Sequence, residues 1–423
     1  MKIRFVVIGT GNRGLGCFAK GLLGFPHKGL PEFPERAELV ALVDINLLRG
    51  RAAAGELKRP DMPVFRTVSE AQAQAPADWG IVTVSDREHR DVVIEALDAG
   101  LNVLVDKPLA TSVMECDEII AAMRRTGRQV IVGHNMRYSR WTLQAAKLVR
   151  GGAIGEVISI EAAEMLGYSH GGDYFHRWHS DFAKSAGLMN HKCCHHIDIL
   201  CWVIDDQPVE VSSWGGRSFY TPRPGLDHGE RCGDCRISMT CPHFFDMNKW
   251  DGVHRRIYKE AEGADGYVRD LCVFSDRHTV YDHQTMQIRF AKGGLASFSM
   301  VMFSPTRGCY FNITGSKGRL EMGESLVDGK AYLRVQDASG KWTIHNVEID
   351  KVEHEHGHGG ADIRLIADRL NLGQSDPLQV ATTDEARRAV LIADLASRSI
   401  AAGGAPMKPS AAGHDYPPAP PRR

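Results

Sequence analysis

The stretch GLMNHKCCHHIDILCW, residues 187–202, sets titratable side chains at helical spacing. His191 and His195 are four apart and Asp198 follows three later, so one helix face would carry all three, with Lys192 and His196 on the adjacent face. Two histidines at this spacing can hold zinc. Lys192 stands where the glutamate of an HExxH site would be, however, and proton transfer fits the set better. A single histidine reads more readily as a hydrogen-bonded core residue, but several on one apolar helix would be costly to bury without a use. A further reactive group is Lys107, in the tripeptide Asp106-Lys107-Pro108 that closes an apolar strand. Proline stops the strand there and aims the lysine, at the end where open α/β sheets hold their ligands.

The residues that would supply a partner for this chemistry lie at the start of the chain. Gly9, Gly11 and Gly14 of GTGNRG sit between an apolar strand and a helical stretch, the context a dinucleotide-binding turn requires. Gly9 allows the turn, Gly11 lets backbone approach a pyrophosphate, and Gly14 lets the helix pack closely. Asn12 and Arg13 open the helix whose N–H groups and dipole face the phosphates. The second strand ends at Asp44, whose carboxylate would accept from ribose hydroxyls and repel a 2'-phosphate, which favours NAD over NADP. The insertion FPHKGLPEFPER accounts for its distance from Gly14. Beside a cationic nicotinamide and partly out of water, Lys107 would release a proton readily enough to serve a sugar hydroxyl.

The elements that position these groups follow from periodicity. Strands are expected over 2–8, 38–44, 64–67, 79–85, 102–108 and 129–138, alternating with helices and apolar on both faces, which predicts a doubly wound parallel sheet ending near residue 136. Beyond it a helix near 141–150, the strand VISIEAAEM, an apolar helix over 187–203 and strands at 284–291, 295–303, 309–314 and 331–335 predict an α+β domain over 137–403 on an open, mostly antiparallel sheet. Residues 215–275 read as an insertion rich in Gly, Arg and Cys, and 404–423 as a Pro-rich mobile tail.

Composition excludes several classes. With 51 Lys+Arg against 52 Asp+Glu the net charge is -1, so no field draws in nucleic acid or an anionic membrane. No apolar run is long enough to span a bilayer, and the chain opens on strand-like KIRFVVI, so a cytoplasmic protein is expected. Ten cysteines are too few for a disulfide scaffold. Cys232, Cys235 and Cys241 cluster within ten residues and Cys272 follows; four thiolates would suit structural zinc, with an iron-sulfur cluster or free thiols as the other readings.

GTGNRG, DKP, GHNMRY, HxxxHHID and GHGGAD at 357–362 together give the chain a resemblance, over nearly its whole length, to the glucose-fructose oxidoreductase, inositol dehydrogenase and rhizopine-catabolism family, Gfo/Idh/MocA. The family usually has EKP where Asp106 stands, and many members have Asp where His191 stands. The resemblance implies roles for Lys107 and His195 in catalysis, a cofactor lining of Ser85, His89, Asn135 and Arg137 beside Asp106 and Lys107, and Tyr138 near the nicotinamide. It also implies a homodimer or larger homo-oligomer.

Substrate residues are expected in GYSHGGDYFHRWHSD, namely Tyr168, His176, Arg177, Trp178 and His179, with His196 and, from the EHEHGHGG tract of His354, His356 and His358, His358. Aromatic faces with donors between them suit a sugar ring, although loops are often polar without binding anything. The family reaction starts with hydride abstraction from a sugar carbon, usually C3. Either the ketone then leaves, as from a sugar or inositol dehydrogenase, or it acidifies the C2 proton, the C1 substituent is eliminated, water adds and the hydride returns. Lys107, His191, Lys192, His195 and His196 exceed what dehydrogenation needs, and the HKxxHH cluster with the cysteine insertion resembles relatives with NAD-dependent glycosidase chemistry, sulfoquinovosidases included. The reading therefore leans to net glycoside hydrolysis. Arg177, Arg217, Arg223 and Arg231 could serve an anionic sugar. An NAD-gated sensor is the remote alternative, against which the lysine and histidines argue.

Overall fold

A computed structural model describes residues 2–249, 251–324, 330–347, 357–371 and 376–409. His354, His356 and the tail from 410 onward lie outside the described residues. The first sheet comprises β1 (Ile3–Ile8), β2 (Ala37–Val43), β3 (Val64–Phe65), β4 (Trp79–Val82), β5 (Asn102–Asp106) and β6 (Val130–Gly133). All pairs are parallel and the order is β3-β2-β1-β4-β5-β6. Val6, Val7 and Ile8, like Val103, Leu104 and Val105, are buried on both faces, as a sheet covered by helices on two sides demands. The order reverses between β1 and β4, which opens a crevice at the strands' C-terminal ends. The helix Val113–Thr126 is fixed at both ends by chemistry legible in sequence. Ser112 and Glu115 form a capping box, and Gly127 ends it at φ 65.

The second sheet comprises β7 (Val157–Gly167), β8 (Pro208–Gly216), β9 (His283–Phe290), β10 (Leu295–Ser304), β11 (Gly308–Gly315), β12 (Gly318–Glu324), β13 (Ala331–Asp337) and β14 (Trp342–Ile344). Its order is β14-β13-β12-β11-β7-β10-β9-β8, antiparallel except for β7 with β10. In β9 burial alternates strictly, with Gln284, Met286, Ile288 and Phe290 inward, so one face packs and the other is open. The inward face meets the helices Cys194–Ile204 and Thr383–Ala401 around Ile160, Phe298, Phe311, Ile197 and Ile392.

Three features differ from expectation. The helix foreseen over 187–203 is broken into Leu188–His191 and Cys194–Ile204, because the chain turns at Lys192 and Cys193. Three strands, β8, β12 and β14, were not foreseen, and β8 takes the first residues of the expected insertion into the sheet. Segments from the second half also return to the first. Ile363, Leu365 and Ile366 pack with Phe5, Leu15 and Phe18, and so does Ile257 of the insertion, while Val390 packs with Val132.

Arg137 pins these parts together. Its side chain is 1% exposed and forks onto Asp198 with two bonds of 2.7 Å, while a third nitrogen reaches Glu385 at 3.1 Å. It thereby joins the turn Asn135–Tyr138, the helix Cys194–Ile204 and the helix Thr383–Ala401. Replacing Arg137 with Met strands the Asp198 carboxylate, and urea unfolding should show a loss of about 3–5 kcal/mol, partly restored by adding Asp198→Leu. A loss under about 1 kcal/mol would remove this pin from the account.

Candidate active site

The glycine turn leaves β1 at Gly9, whose φ of 89 suits glycine and whose N–H donates to the Val43 carbonyl at 2.8 Å. A Cβ on Gly14 would lie 2.0 Å from the Gly9 oxygen and 2.5 Å from Thr83 Oγ1, so only glycine lets this helix seat against β1 and β4. The cradle fits a dinucleotide. Asp44 is already saturated, however: its two oxygens accept from Thr10 N and Oγ1, Asn46 N and Arg49 Nη1. The carboxylate expected to accept from ribose hydroxyls thus also fixes the turn and orients Arg49.

Arg13 bridges two carboxylates. It bonds Asp106 through Nε at 3.0 Å and Asp362 through Nη1 and Nη2 at 2.9 Å each. Asn135 Nδ2 adds a 2.7 Å bond to Asp362, and His358 Nδ1 lies 2.9 Å from it. Arg13 and His358 hold the Asp362 carboxyl well below the usual carboxylate range against its burial. The glycine turn, the end of β5 and the GHGGAD segment therefore meet in one ionic knot. His89 Nδ1 faces the Pro108 carbonyl at 2.8 Å, and half-buried Ser85 opens the next turn.

Lys107 projects from this knot, and its Nζ donates to the His191 carbonyl at 2.7 Å. The His191 ring has Nδ1 2.6 Å from Asp86 Oδ2. Burial pushes the Asp86 carboxyl well above its usual range, and burial with Lys107 holds His191 well below, so both groups of the pair favour their neutral forms. The His179 ring lies 4.1 Å from that of His191 and is stacked on Trp178 at 3.9 Å, with Tyr174 5.6 Å from His191. His195 is buried, held well down by burial and Lys107, and backed edgewise by His134 at 6.0 Å. Its Nδ1 has no hydrogen-bond partner among the described residues, nor has His179 Nδ1. Neutral imidazoles with open nitrogens beside a lysine can accept and return protons.

Comparison with known proteins agrees with this geometry. Residues 3–134 match the oxidoreductase family with an NAD-binding Rossmann fold, and residues 142–321 match the GFO/IDH/MocA C-terminal domain. The chain belongs to the Gfo/Idh/MocA family of NAD-dependent oxidoreductases. It is 28% identical to the oxidoreductase YteT of Bacillus subtilis over 88% of this chain and 89% of that one. It is also 28% identical to the inositol 2-dehydrogenase of Gluconacetobacter diazotrophicus, over 47% of this chain and 56% of the relative. The 2,7-anhydro-N-acetylneuraminate hydratase of Mediterraneibacter gnavus is 29% identical over 48% and 52%. The fold is shared with the aldose-aldose oxidoreductase of Caulobacter crescentus, at TM-score 0.65 and 16% identity over 96% of this chain and 100% of that one. No described helix is long and apolar enough to cross a membrane.

Within this Gfo/Idh/MocA site, other expected residues lie apart from the lysine. Lys192 Nζ is 3.1 Å from Glu164, which His196 Nε2 also meets at 3.0 Å; the carboxylate drives Lys192 upward, so it stays charged. Glu164, His196 and Cys309 form the one described triad with ligand atoms mutually within 4.8 Å, but the Lys192 ammonium already balances the carboxylate there. The Tyr138 hydroxyl is spent on Asp368 at 2.8 Å within the core, and the Arg137 guanidinium on the pin described above. Both are expected beside the cofactor, and here their polar atoms meet protein partners. His176 faces the Leu271 carbonyl at 2.6 Å and Cys232 Sγ at 3.9 Å, and Tyr168 packs on Phe219, so both belong to the insertion's surroundings instead of the lysine's. Arg177 pairs with Asp173, and Arg231 with Glu262 and Asp270.

Asp86, Glu164 and Asp362 were missed. Asp362 was within reach, as the last residue of the GHGGAD motif.

His134, His176, His179, His191 and His195 are all held below the ordinary histidine range by burial, His176 at about 4. The unfolded chain therefore binds more protons below about pH 6.5, and stability must fall as pH drops from about 7 to 5, against an opposite contribution from Asp86. The urea midpoint should decline over that window, with a shallower slope in His195→Gln. A flat profile would contradict the buried, neutral cluster.

Proposed function

We propose that this oxidoreductase acts on glycosides and releases them hydrolysed, with NAD kept through the cycle. The observation that carries the reading is the gathering of the Asp86–His191 pair, His179 and His195 about Lys107. Hydride transfer from a sugar carbon needs one proton acceptor for the hydroxyl; elimination and water addition need further groups that alternate between acid and base. Bound NAD supplies the hydride acceptor for C3 and the donor that later restores it. Lys107 Nζ, steadied by the His191 carbonyl, exchanges a proton with the C3 hydroxyl. His195, neutral and with Nδ1 open, removes the acidified C2 proton. The Asp86–His191 pair protonates the departing C1 oxygen and then activates water. Trp178 and Tyr174 offer aromatic faces to the ring.

Gly9, Gly11, Asn12, Arg13 and Gly14 would hold the cofactor's pyrophosphate, with Asp106 and Asn135 acting through Arg13 and Asp362. The hydratase relative's name denotes lyase chemistry on a sugar acid, which supports the elimination step by analogy. The inositol 2-dehydrogenase relative favours the second reading, net oxidation of a sugar or polyol with NADH released. Trp214 and Leu295, exposed on the open sheet face, would seat a second copy in a homo-oligomer.

The same proposal includes a structural zinc in the insertion. Cys232, Cys235, Cys241 and Cys272 line one small cavity together with His176, His228 and His243. Backbone N–H groups of Phe245 and Gly229 point to Cys232 Sγ and Cys235 Sγ at 3.4 Å each, as thiolates favour. Among the described residues the sulfurs ring the cavity without closing to ligand distance, and a bound ion would draw them in. The ion would staple an insertion that has little apolar core.

Two measurements test these readings. With catalytic NAD and a panel of neutral and sulfonated aryl glycosides, phenol should be released over many turnovers without net NADH; stoichiometric NADH without phenol would leave a dehydrogenase. Metal analysis of the purified protein should find close to one zinc per chain, lost in Cys235→Ser together with thermal stability. Metal-free, fully stable protein would show that the cysteines are free thiols.

A further inference from the structure

The insertion reaches across to the glycine turn. Tyr258 is buried, and its hydroxyl accepts from the Asn12 N–H at 2.7 Å; a Cβ on Gly11 would meet the same oxygen at 3.3 Å. An oxygen therefore stands where a dinucleotide-binding turn presents its N–H to a pyrophosphate. Two guanidiniums flank the Tyr258 ring, Arg49 at 6.0 Å and Arg269 at 5.8 Å from its centroid. Arg269 is 3% exposed and donates from Nη2 to Asp173 at 2.6 Å, while its Nε and Nη1 are buried with no hydrogen-bond partner among the described residues. Arg177 shares the Asp173 carboxylate, which leaves two guanidiniums on one acid. Such an excess of buried positive charge and unspent donors is costly unless an anion meets it.

The segment carrying Tyr258 is anchored on the cofactor side. Asn46 Nδ2 donates to the Ala261 carbonyl at 2.8 Å, Arg49 Nε to the Ile257 carbonyl at 3.1 Å and Arg49 Nη2 to Asp265 at 2.5 Å. Ile257 is fully buried in the core of the first domain. These contacts tie the insertion to Asn46 and Arg49, which both bond Asp44 at the end of β2.

We infer that Tyr258 and Arg269 form a second wall of the pyrophosphate site, supplied by the insertion and closing over the bound dinucleotide. The Tyr258 oxygen accepts from the Asn12 N–H; a bound dinucleotide would offer a phosphate oxygen to both the Asn12 N–H and the Tyr258 O–H, and Arg269 would present its open donors to the same anion. The wall retards exchange of the cofactor. This inference rests on NAD binding alone and stands whether the net reaction is hydrolysis or oxidation.

The experiment compares the full-length protein with Tyr258→Phe, which removes only the hydroxyl, and Arg269→Lys, which keeps the charge and loses the fork. NAD release is followed by stopped-flow displacement, and affinities for NAD and for nicotinamide riboside, which lacks the pyrophosphate, by calorimetry. Release should accelerate by roughly tenfold or more in each variant, NAD affinity should fall, and riboside affinity should stay unchanged. Unchanged NAD release in Tyr258→Phe with a native unfolding midpoint would overturn the inference. So would equal losses for NAD and the riboside. If NAD binding is unaffected and KM rises for a sulfonated but not a neutral glycoside, the anion belongs to the substrate and the assignment to the pyrophosphate is wrong.

Discussion

The Arg13 guanidinium, shared between Asp106 and Asp362, is the constraint on which the pocket depends. These residues come from the glycine turn, the end of β5 and the start of the helix Ala361–Arg369, so one ionic knot joins segments up to 349 positions apart in sequence. Breaking a partly buried pair of this kind costs on the order of 3–5 kcal/mol, because the abandoned charge has nowhere to go. Lys107 follows Asp106 directly. Whatever fixes the carboxylate also fixes where the lysine emerges, and Asn135 and His358 reinforce the same point through Asp362.

Around this knot the protein keeps its bases neutral by burial. His179, His191 and His195 are shielded from water and lie near Lys107, which makes a second positive charge expensive and leaves imidazole nitrogens ready to accept protons. Lys192 shows the opposite arrangement. Placed next to His191 in sequence, it turns to Glu164 and stays charged, so two adjacent residues end in different electrostatic regimes. The break between Leu188–His191 and Cys194–Ile204 is what separates them.

The first sheet was legible because its strands are apolar on both faces and its turn carries glycines that only this geometry needs. The succession of long strands in the second half extended that reading to the open second sheet, though β8, β12 and β14 escaped it. The site was legible in part. Lys107, His191 and His195 sit in recognisable motifs, but Asp86 lies in the polar run SDREHRD and resembles a solvent-facing helix start until the fold buries it. Glu164 sits in β7, where alternation alone did not show which acids face inward. His176 and Tyr168 were grouped with Trp178 and His179 by proximity in sequence, yet the helix Tyr168–Phe175 turns them toward the insertion. Asp44 shows a different limit. Its position at the end of β2 was legible, but not that Thr10, Asn46 and Arg49 would take its lone pairs. Tyr258 and Arg269 had no periodic signal at all, since the insertion's few helices are short.

In the proposed cycle the sugar is oxidised at C3, loses its C2 proton and is restored before release. It is tested most directly with an aryl glycoside carrying deuterium at C3, turned over in ordinary water and, unlabelled, in heavy water, with the released sugar read by NMR. The account predicts that C3 keeps its deuterium while C2 acquires hydrogen from the solvent. A released sugar whose C2 hydrogen never exchanged would contradict it.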